Sequence, residues 1–313
     1  MTRLDLATLF ALGTLLAACG SKPVQPPAVV SQSQSFMASG MQAYNDNRYT
    51  EARNFFGRAF AEYRSVDDLD READALIDLA DAALQQGDVQ AARDDIKQAR
   101  AVLALHPIAG LPIRLTLLEA YADLQSQDPA SAIAALDQLV RDATAPTDVY
   151  RAALFARTQA AFDAKAADAP QWLEKLGKGE GDLDVARLER LQALNAVDNS
   201  NAESLYASAL HRYQLGYHRP GIAAVHEEWG ALLLSQQKWA AARDHLQRAL
   251  DVRLWMYDAS RSARDLQAMQ QADTALGDTV KAKQDGIWAD YLKNGGDPSK
   301  SPVSPAATPT PSN

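Results

Sequence analysis

The chain has 313 residues, with 31 basic and 40 acidic side chains, so its formal net charge at pH 7 is −9. Alanine dominates a hydrophobic fraction of 47%, and only 7% of the residues are aromatic, which favours close-packed helices over a β-sandwich. An acidic chain without a basic run is poorly suited to binding nucleic acid or to holding anionic lipid headgroups by charge. Its length suffices for two average domains or for one elongated domain.

The first 34 residues predict a targeting segment followed by a tether. Arg3 precedes an almost wholly apolar run over residues 6–18. This run is too short to span a bilayer as a helix but suits the apolar part of a secretory signal. Cys19, the single cysteine of the chain, follows two small residues. Residues 20–34 contain three prolines and several serines and glutamines, so we expect a flexible tether there.

The sequence Leu16-Ala17-Ala18-Cys19 resembles the lipobox of bacterial lipoproteins. The resemblance implies a signal peptide over residues 1–18, acylation of Cys19 and a lipid anchor, which leaves no thiol for a disulfide. Because Gly20, and not an aspartate, follows the cysteine, the resemblance also implies the periplasmic side of the outer membrane. An ordinary signal peptide, or a cytosolic helix with a buried cysteine, is the alternative.

Three segments of the chain share four apolar positions with the spacing i, i+3, i+7, i+10, which lie on one face of a helix. Upstream of each set, Gly40, Ala80 or Gly230 precedes the first aligned alanine by 12 residues, and we expect a first helix to cross its partner there. The aligned positions are Tyr49, Ala52, Phe56 and Ala59; Val89, Ala92, Ile96 and Ala99; and Trp239, Ala242, Leu246 and Ala249.

This pattern of small and large residues resembles the tetratricopeptide repeat. The resemblance implies an all-α fold, an α-solenoid of helix-turn-helix repeats over residues 35–294. The period from Ala52 to Ala92 is 40 residues, and a weaker copy at Ala132 gives 40 again, whereas the usual period of the family is about 34. We expect the extra residues, such as SVDDLD at residues 65–70, to lengthen helices or the loops between repeats. An elongated shape would follow from such a solenoid.

The repeat fades over residues 147–216, although helical periodicity persists there. Residues 148–162, 183–194 and 202–215 are amphipathic and predict degenerate helix pairs, while residues 177–182 and 195–201 predict turns. Two further amphipathic segments after Asp251 predict helices that cap the solenoid. Residues 295–313, rich in Pro, Ser and Thr, predict a disordered tail, or alternatively a docking peptide.

Residue patterns that carry chemistry are scarce, and we expect neither enzymatic activity nor a cofactor or metal ion. The sequence HEEWG at His226 lacks the second histidine of the zinc-protease pattern. We expect the histidines to be partly exposed, and adjacent acids such as Glu227 and Glu228 to lie on solvated faces. The sequence contains no phosphate-binding loop, serine elbow or thiol nucleophile.

Function is therefore expected to reside in a surface. Tetratricopeptide proteins bind partners along a concave groove lined by first helices, and the resemblance implies a protein partner here. The groove candidates are Met37, Met41, Tyr44 and Asn45; Ile77, Asp81, Leu84 and Gln85; and Glu227, Ala231, Leu234 and Ser235.

Two functions are compatible with this reading. The first is a lipid-anchored scaffold that serves envelope assembly, such as pilus or secretin biogenesis, β-barrel insertion or peptidoglycan synthesis. The second is a receptor for a small molecule or a glycan that uses the region from His211 to Trp229. Within that region, LGYHRPG at residues 215–221 is either a structural corner or part of a ligand site.

Overall fold

A computed structural model describes residues 28–303, with side chains described from residue 31 onward. This part of the chain is all-α: it contains fourteen helices and no strand. The helices are α1 (Ala28–Asn45), α2 (Tyr49–Ser65), α3 (Leu69–Gln85), α4 (Val89–Leu105), α5 (Leu111–Gln125), α6 (Pro129–Leu139), α7 (Thr147–Asp163), α8 (Ala169–Leu176), α9 (Gly181–Asn195), α10 (Asn199–Leu215), α11 (Arg219–Ser235), α12 (Trp239–Trp255), α13 (Ala259–Leu276) and α14 (Thr279–Lys293).

Consecutive helices pack against each other in pairs, which confirms the predicted repeat fold. The predicted crossing points lie where the helices are closest. A Cβ atom on Gly40 would lie 2.5 Å from the ring of Phe56, and one on Gly230 would lie 2.8 Å from Cγ of Leu246. The small residue of the first helix therefore makes room for the large residue of the second, and these pairs form the core of their repeats.

Longer helices account for the 40-residue period. Helices α2, α3, α11 and α12 each have 17 residues and are each followed by a turn of three. A helix and its turn thus occupy 20 residues, and a pair occupies 40. The segment SVDDLD contributes only one such turn, at residues 66–68, so the extra residues lengthen the helices and leave the loops short.

The same turn recurs seven times within residues 28–303, and its middle residue is always left-handed. The third residue of the turn donates its N–H to the carbonyl five residues earlier, as Asp88 does to Ala83 at 3.0 Å. Its side chain commonly caps the next helix: the Asp88 carboxylate accepts the N–H of Ala91 at 3.1 Å. The middle residues are Asn47, Asp67, Gly87, Gln127, Tyr217, Gln237 and Tyr257.

The two ends of the described chain differ in how they compare with the predictions. Helix α1 begins at Ala28, so the second half of the predicted tether is helical. Residues 295–303 contain no helix, and Ser299 is held in a local turn by the Asp297 carboxylate at 2.9 Å. Cys19, the predicted signal peptide and residues 304–313 lie outside the described residues.

The degenerate middle of the chain contains the predicted helices and one that was not predicted. Helices α7, α9 and α10 cover the three amphipathic segments, and α13 and α14 cover the two predicted capping segments. The unpredicted α8 has eight residues, although its apolar residues 169, 172, 173 and 176 follow the helical spacing i, i+3, i+4, i+7. Its Leu176 and Trp172 pack with α7 and α9, which places α8 where a full second helix would otherwise lie.

The solenoid closes on itself, so the elongated shape expected from the repeats is wrong. Tyr49, at the start of α2, is buried against Ala223 of α11 and Met256 of the turn after α12. Asn47 donates its side-chain N–H to the carbonyl of Tyr217 at 3.2 Å, across 170 residues of sequence. We call this contact between the first repeat and the last repeats the seam.

Further polar contacts extend the seam. Arg219 donates to the carbonyl of Asp46 at 3.1 Å, and its guanidinium lies 3.7 Å from the ring centroid of Trp255. Arg261 of α13 donates to the carbonyl of Leu84 at the end of α3, also at 3.1 Å. The helix pairs therefore form one closed turn around a central space.

Candidate binding chamber

The first helix of each of the seven pairs in residues 28–303 borders one central cavity. This inner chamber has a volume of about 570 Å³. Helices α1, α3 and α5 border it with their last turns and α11 and α13 with their first turns, because the closed ring places all first helices on the inside. One residue from each of these helices, in chain order, is Asn45, Gln85, Tyr121, Phe155, Arg187, Pro220 and Arg261.

Two further cavities continue from the inner chamber. A middle compartment of about 540 Å³ shares Gln125, Arg190 and Arg261 with it. An outer mouth of about 900 Å³ shares Gln125 and Arg264 with the middle compartment. Exposed turn residues border the mouth, and so do residues 295, 296 and 298 at the start of the tail. The three cavities are therefore neighbours, and they share the side chains that separate them.

Five of the twelve predicted groove residues border these cavities. Tyr44, Asn45 and Gln85 line the inner chamber, and Glu227 and Ala231 line the middle compartment. The structure thus brings together side chains from repeats that are far apart in sequence.

Ile77 and Leu84 are core residues, which corrects their assignment to an exposed groove. Leu84 is only 1% exposed and Ile77 only 6%. Helix α3 packs against α2, α4 and α5 together, so its inward side is covered as well. A leucine at this position stabilises the fold and is not available to a partner.

The remaining groove candidates also differ from the expected role. Met37 packs on the core of the first repeats, and Leu234 packs on the core around α13. Asp81 accepts a hydrogen bond from the hydroxyl of Tyr44 at 3.0 Å, so it positions a chamber residue. Met41 and Ser235 are exposed but border none of the three cavities.

Tyrosine side chains form much of the inner wall. Tyr44, Tyr49, Tyr121, Tyr213 and Tyr217 all border the inner chamber. Burial raises the pKa of the Tyr121 hydroxyl to about 12 and raises those of Tyr44 and Tyr49 further above their usual value. These phenols therefore remain neutral. The hydroxyls of Tyr44 and Tyr49 donate to Asp81 and Asn47, so the tyrosine rings supply mainly apolar wall to the chamber.

Arginine supplies the charge of the inner chamber. Arg190 donates to Glu228 at 2.6 Å and to the side-chain oxygen of Gln159 at 2.9 Å. Arg261 is engaged at the seam, while Arg187 lies 3.5 Å from its nearest carboxylate, that of Asp184. Among residues 28–303, no Asp or Glu borders the inner chamber.

The middle compartment holds the carboxylates, and the expectation that Glu227 and Glu228 lie on a solvated face is wrong. Glu227 forms an ion pair with Arg253, which is itself buried and 2.6 Å from Asp265. Burial tends to raise the pKa of Glu227, but the Arg253 guanidinium holds it below its usual value. Burial raises the pKa of Glu228 to about 7 in spite of Arg190, so this carboxyl is partly protonated near neutral pH.

Two of the three histidines in the region from His211 to Trp229, His218 and His226, have structural roles, and His211 is exposed. His218 accepts the N–H of Gly221 at 3.0 Å and caps α11, and burial lowers its pKa to about 4. His226 is buried, not partly exposed as expected, with Nδ1 3.0 Å from Nδ1 of His245. Within residues 28–303, no three His, Cys, Asp or Glu side chains are arranged to hold a metal ion. Residues 215–221 are the corner at which the seam closes, and part of this corner also borders the inner chamber.

Sequence reasoning missed several chamber residues. Gln125 follows Asn45 and Gln85 at intervals of 80 and 40 residues, so the repeat period could have identified it. Arg187 and Arg190 lie on α9, where the repeat pattern is lost, and no periodic pattern marks them as inward-facing. The position of Arg261 at the chamber could be predicted only if the closure of the ring were known.

None of the helices in residues 28–303 combines the apolar character and the length needed to cross a lipid bilayer.

Comparison with known proteins identifies no family for this chain. No family model matches it, and no curated protein matches it. The solved structure of BtubC (BKLC) from P. vanneervenii aligns over 91% of this chain and 100% of its own, at 15% identity and a TM-score of 0.31. The apo form of RapI aligns over 87% of this chain and 78% of its own, at 12% identity and a TM-score of 0.43. At this low similarity, neither structure bears on the function of this chain.

Proposed function

We propose that this protein is a lipid-anchored scaffold on the periplasmic side of a bacterial outer membrane, and that it binds a segment of a protein partner in its chamber. The observation that carries the binding role is the convergence of every first helix on one space with a mouth at the surface. The polar groups there form ion pairs such as Arg190–Glu228, without a nucleophile held beside a base. Binding is therefore preferred to catalysis.

The lipid anchor rests on the lipobox resemblance at Cys19. Within this proposal, the partner belongs to envelope assembly: pilus or secretin biogenesis, β-barrel insertion or peptidoglycan synthesis. Two acyl chains would hold the protein at the membrane for long times, since each buried methylene contributes about 0.8 kcal/mol. The Cys19→Ala chain should remain unprocessed or soluble. Mass spectrometry of the mature wild-type N-terminus should show acyl groups, and their absence would rule out the anchor.

The binding role is tested by filling the chamber. Ala224 borders both the inner chamber and the middle compartment. Ala224→Trp should reduce capture of partner proteins from detergent extracts at least tenfold and leave the helical circular dichroism unchanged. The matched control is Ala101→Trp on the exposed side of α4, which should capture the same proteins as the wild type. Equal capture by both variants would place the binding site outside the chamber.

The second candidate function, a receptor for a small molecule or a glycan, is favoured by one observation. The volume of about 570 Å³ and the tyrosine wall of the inner chamber are typical of small-ligand sites. A small-molecule or glycan receptor should bind soluble cell-wall fragments in the absence of any protein. A scaffold should retain a protein from the extract and show no affinity for the fragments.

A further inference from the structure

We propose that the chamber recognises an acidic peptide segment, whose carboxylates pair with Arg187 and Arg264. This inference rests on the proposed function, because it names the chemistry of the partner segment that the chamber takes.

The lining of the chamber contrasts with the rest of the chain. The protein has a net charge of −9. Among residues 28–303, the inner chamber and the middle compartment are nevertheless bordered by five arginines and only three carboxylates. The arginines are Arg187, Arg190, Arg253, Arg261 and Arg264, and the acids are Asp163, Glu227 and Glu228. Three of the arginines are matched by ion pairs with Glu228, Asp265 and Asp258, and no Asp or Glu of the described residues borders the inner chamber. An anion in the inner chamber would therefore contact arginine side chains and no carboxylate.

Two of these guanidinium groups are held more loosely than the other three. Arg264 forms no hydrogen bond or ion pair within the described chain, although its charge acts on Glu227 and Asp163, and its Nε is buried where the mouth meets the middle compartment. The Arg187 side chain is 38% exposed, and its guanidinium lies 3.5 Å from the Asp184 carboxylate and 5.8 Å from the ring centroid of Phe155. A guanidinium presents parallel N–H donors that match a carboxylate. Arg190, Arg253 and Arg261, by contrast, hold other parts of the structure together.

The arrangement of the three cavities bears on the shape of the occupant. Gln125 borders the mouth, the middle compartment and the inner chamber, so the three cavities meet around this side chain. Its Nε2 donates to the carbonyl of Leu84 at 3.0 Å, while its Oε1 is buried and accepts no hydrogen bond from the described residues. A peptide N–H would satisfy that oxygen, whereas a small inorganic anion has no donor for it. An extended peptide with acidic side chains therefore fits these cavities better than a free anion.

The test measures fluorescence polarisation of labelled hexaglutamate and hexaglutamine peptides with the full chain. We expect the wild type to bind hexaglutamate at least tenfold more tightly than hexaglutamine, and to lose this affinity as salt is added. The double variant Arg187→Gln with Arg264→Gln should lose the preference. The matched control, Arg93→Gln with Arg248→Gln, removes the same charge from the exposed surfaces of α4 and α12 and should retain it.

Each outcome bears on the inference. Equal binding of the two peptides by the wild type would overturn it, and this comparison does not depend on how well any variant folds. A similar loss in the chamber variant and in the surface control would also overturn it, because net charge alone would then explain the binding. If the wild type bound neither peptide while Ala224→Trp still abolished partner capture, the binding role would stand and only the acidic chemistry would be wrong.

Discussion

At the scale of single residues, the recurring turn carries an avoidable conformational cost. Within residues 28–303, six of its seven occurrences place a non-glycine residue at a positive φ, among them Gln237 at 57°. A left-handed conformation costs an L-residue about 1–2 kcal/mol. Replacement by glycine removes this cost, but part of the gain in stability is lost because glycine gains more conformational entropy on unfolding. The middle residue of this turn adopts its conformation because of its place between two helices, and its type varies from turn to turn. The sequence alone therefore gives little sign of these turns.

Gln237→Gly should raise the free energy of unfolding by about 0.5–1 kcal/mol. Gln237 is exposed and far from the chamber, so the change acts on the backbone alone. Urea unfolding followed by circular dichroism measures the effect. Gln237→Ala is the control, since alanine shares the steric penalty of glutamine and should give no gain. If the glycine variant is no more stable than the alanine variant, the turn does not have the described conformation.

A second residue, Asp78 on α3, gives the stability a pH dependence. Burial, reinforced by Asp81 and Asp74, raises its pKa from 3.8 to about 7. Between these values the native state binds a proton that the unfolded chain has released, so the contribution of this group to stability falls as pH rises from about 4 to 7.

Asp78→Asn should therefore stabilise the protein at pH 8 and have little effect at pH 4. The difference in unfolding free energy between the variant and the wild type should grow as the pH rises from 4 to 8. Histidines with lowered pKa values, such as His218, change stability in the opposite direction over this range. They do so equally in both proteins and cancel in the comparison. A difference in unfolding free energy that stayed constant with pH would show that Asp78 titrates normally.

At the scale of helices, glycines at crossing points can be compared with a glycine elsewhere. Gly40→Ala would push a methyl group into the ring of Phe56 and should destabilise the protein by about 1–3 kcal/mol. Gly57→Ala is the matched control: it lies inside α2, a Cβ there meets no atom within 4 Å, and alanine favours the helix by about 0.5–1 kcal/mol. Melting temperatures should shift in opposite directions. A shift of the same sign in both would contradict the packing of α1 on α2.

The helices also show most clearly which contacts the sequence predicts and which it does not. Gly40 with Phe56, and Gly230 with Leu246, could be predicted because close packing of two helices requires a small residue opposite a large one, and this requirement leaves a periodic trace. The burial of Leu84 could not be predicted, because it depends on α5 covering the inner side of α3. The inward direction of Arg187 could not be predicted either, because the repeat pattern is lost along α9 and the closure of the ring decides which face of α9 lies inside.

At the scale of the whole molecule, the seam depends on a small number of side chains. Asn47→Gly keeps the left-handed turn but removes the bonds to Tyr217 and to the hydroxyl of Tyr49, and Arg219→Ala removes the bond to Asp46. Each lost hydrogen bond costs about 1 kcal/mol. In small-angle scattering of the soluble Cys19→Ala chain, we expect this double change to increase the maximum dimension and leave helicity unaltered. Gln237→Gly, the same kind of change at a turn away from the seam, should leave the dimension as it was.

Closure also determines which parts of a partner can enter. A ring that surrounds its ligand admits a free chain end by threading through the mouth. An internal loop, flanked on both sides by folded domains, can enter the same mouth only as a hairpin, with two strands side by side. Such a loop can pass right through the ring only when the seam parts. The width of the mouth would thus favour chain termini over loops, whatever their side chains.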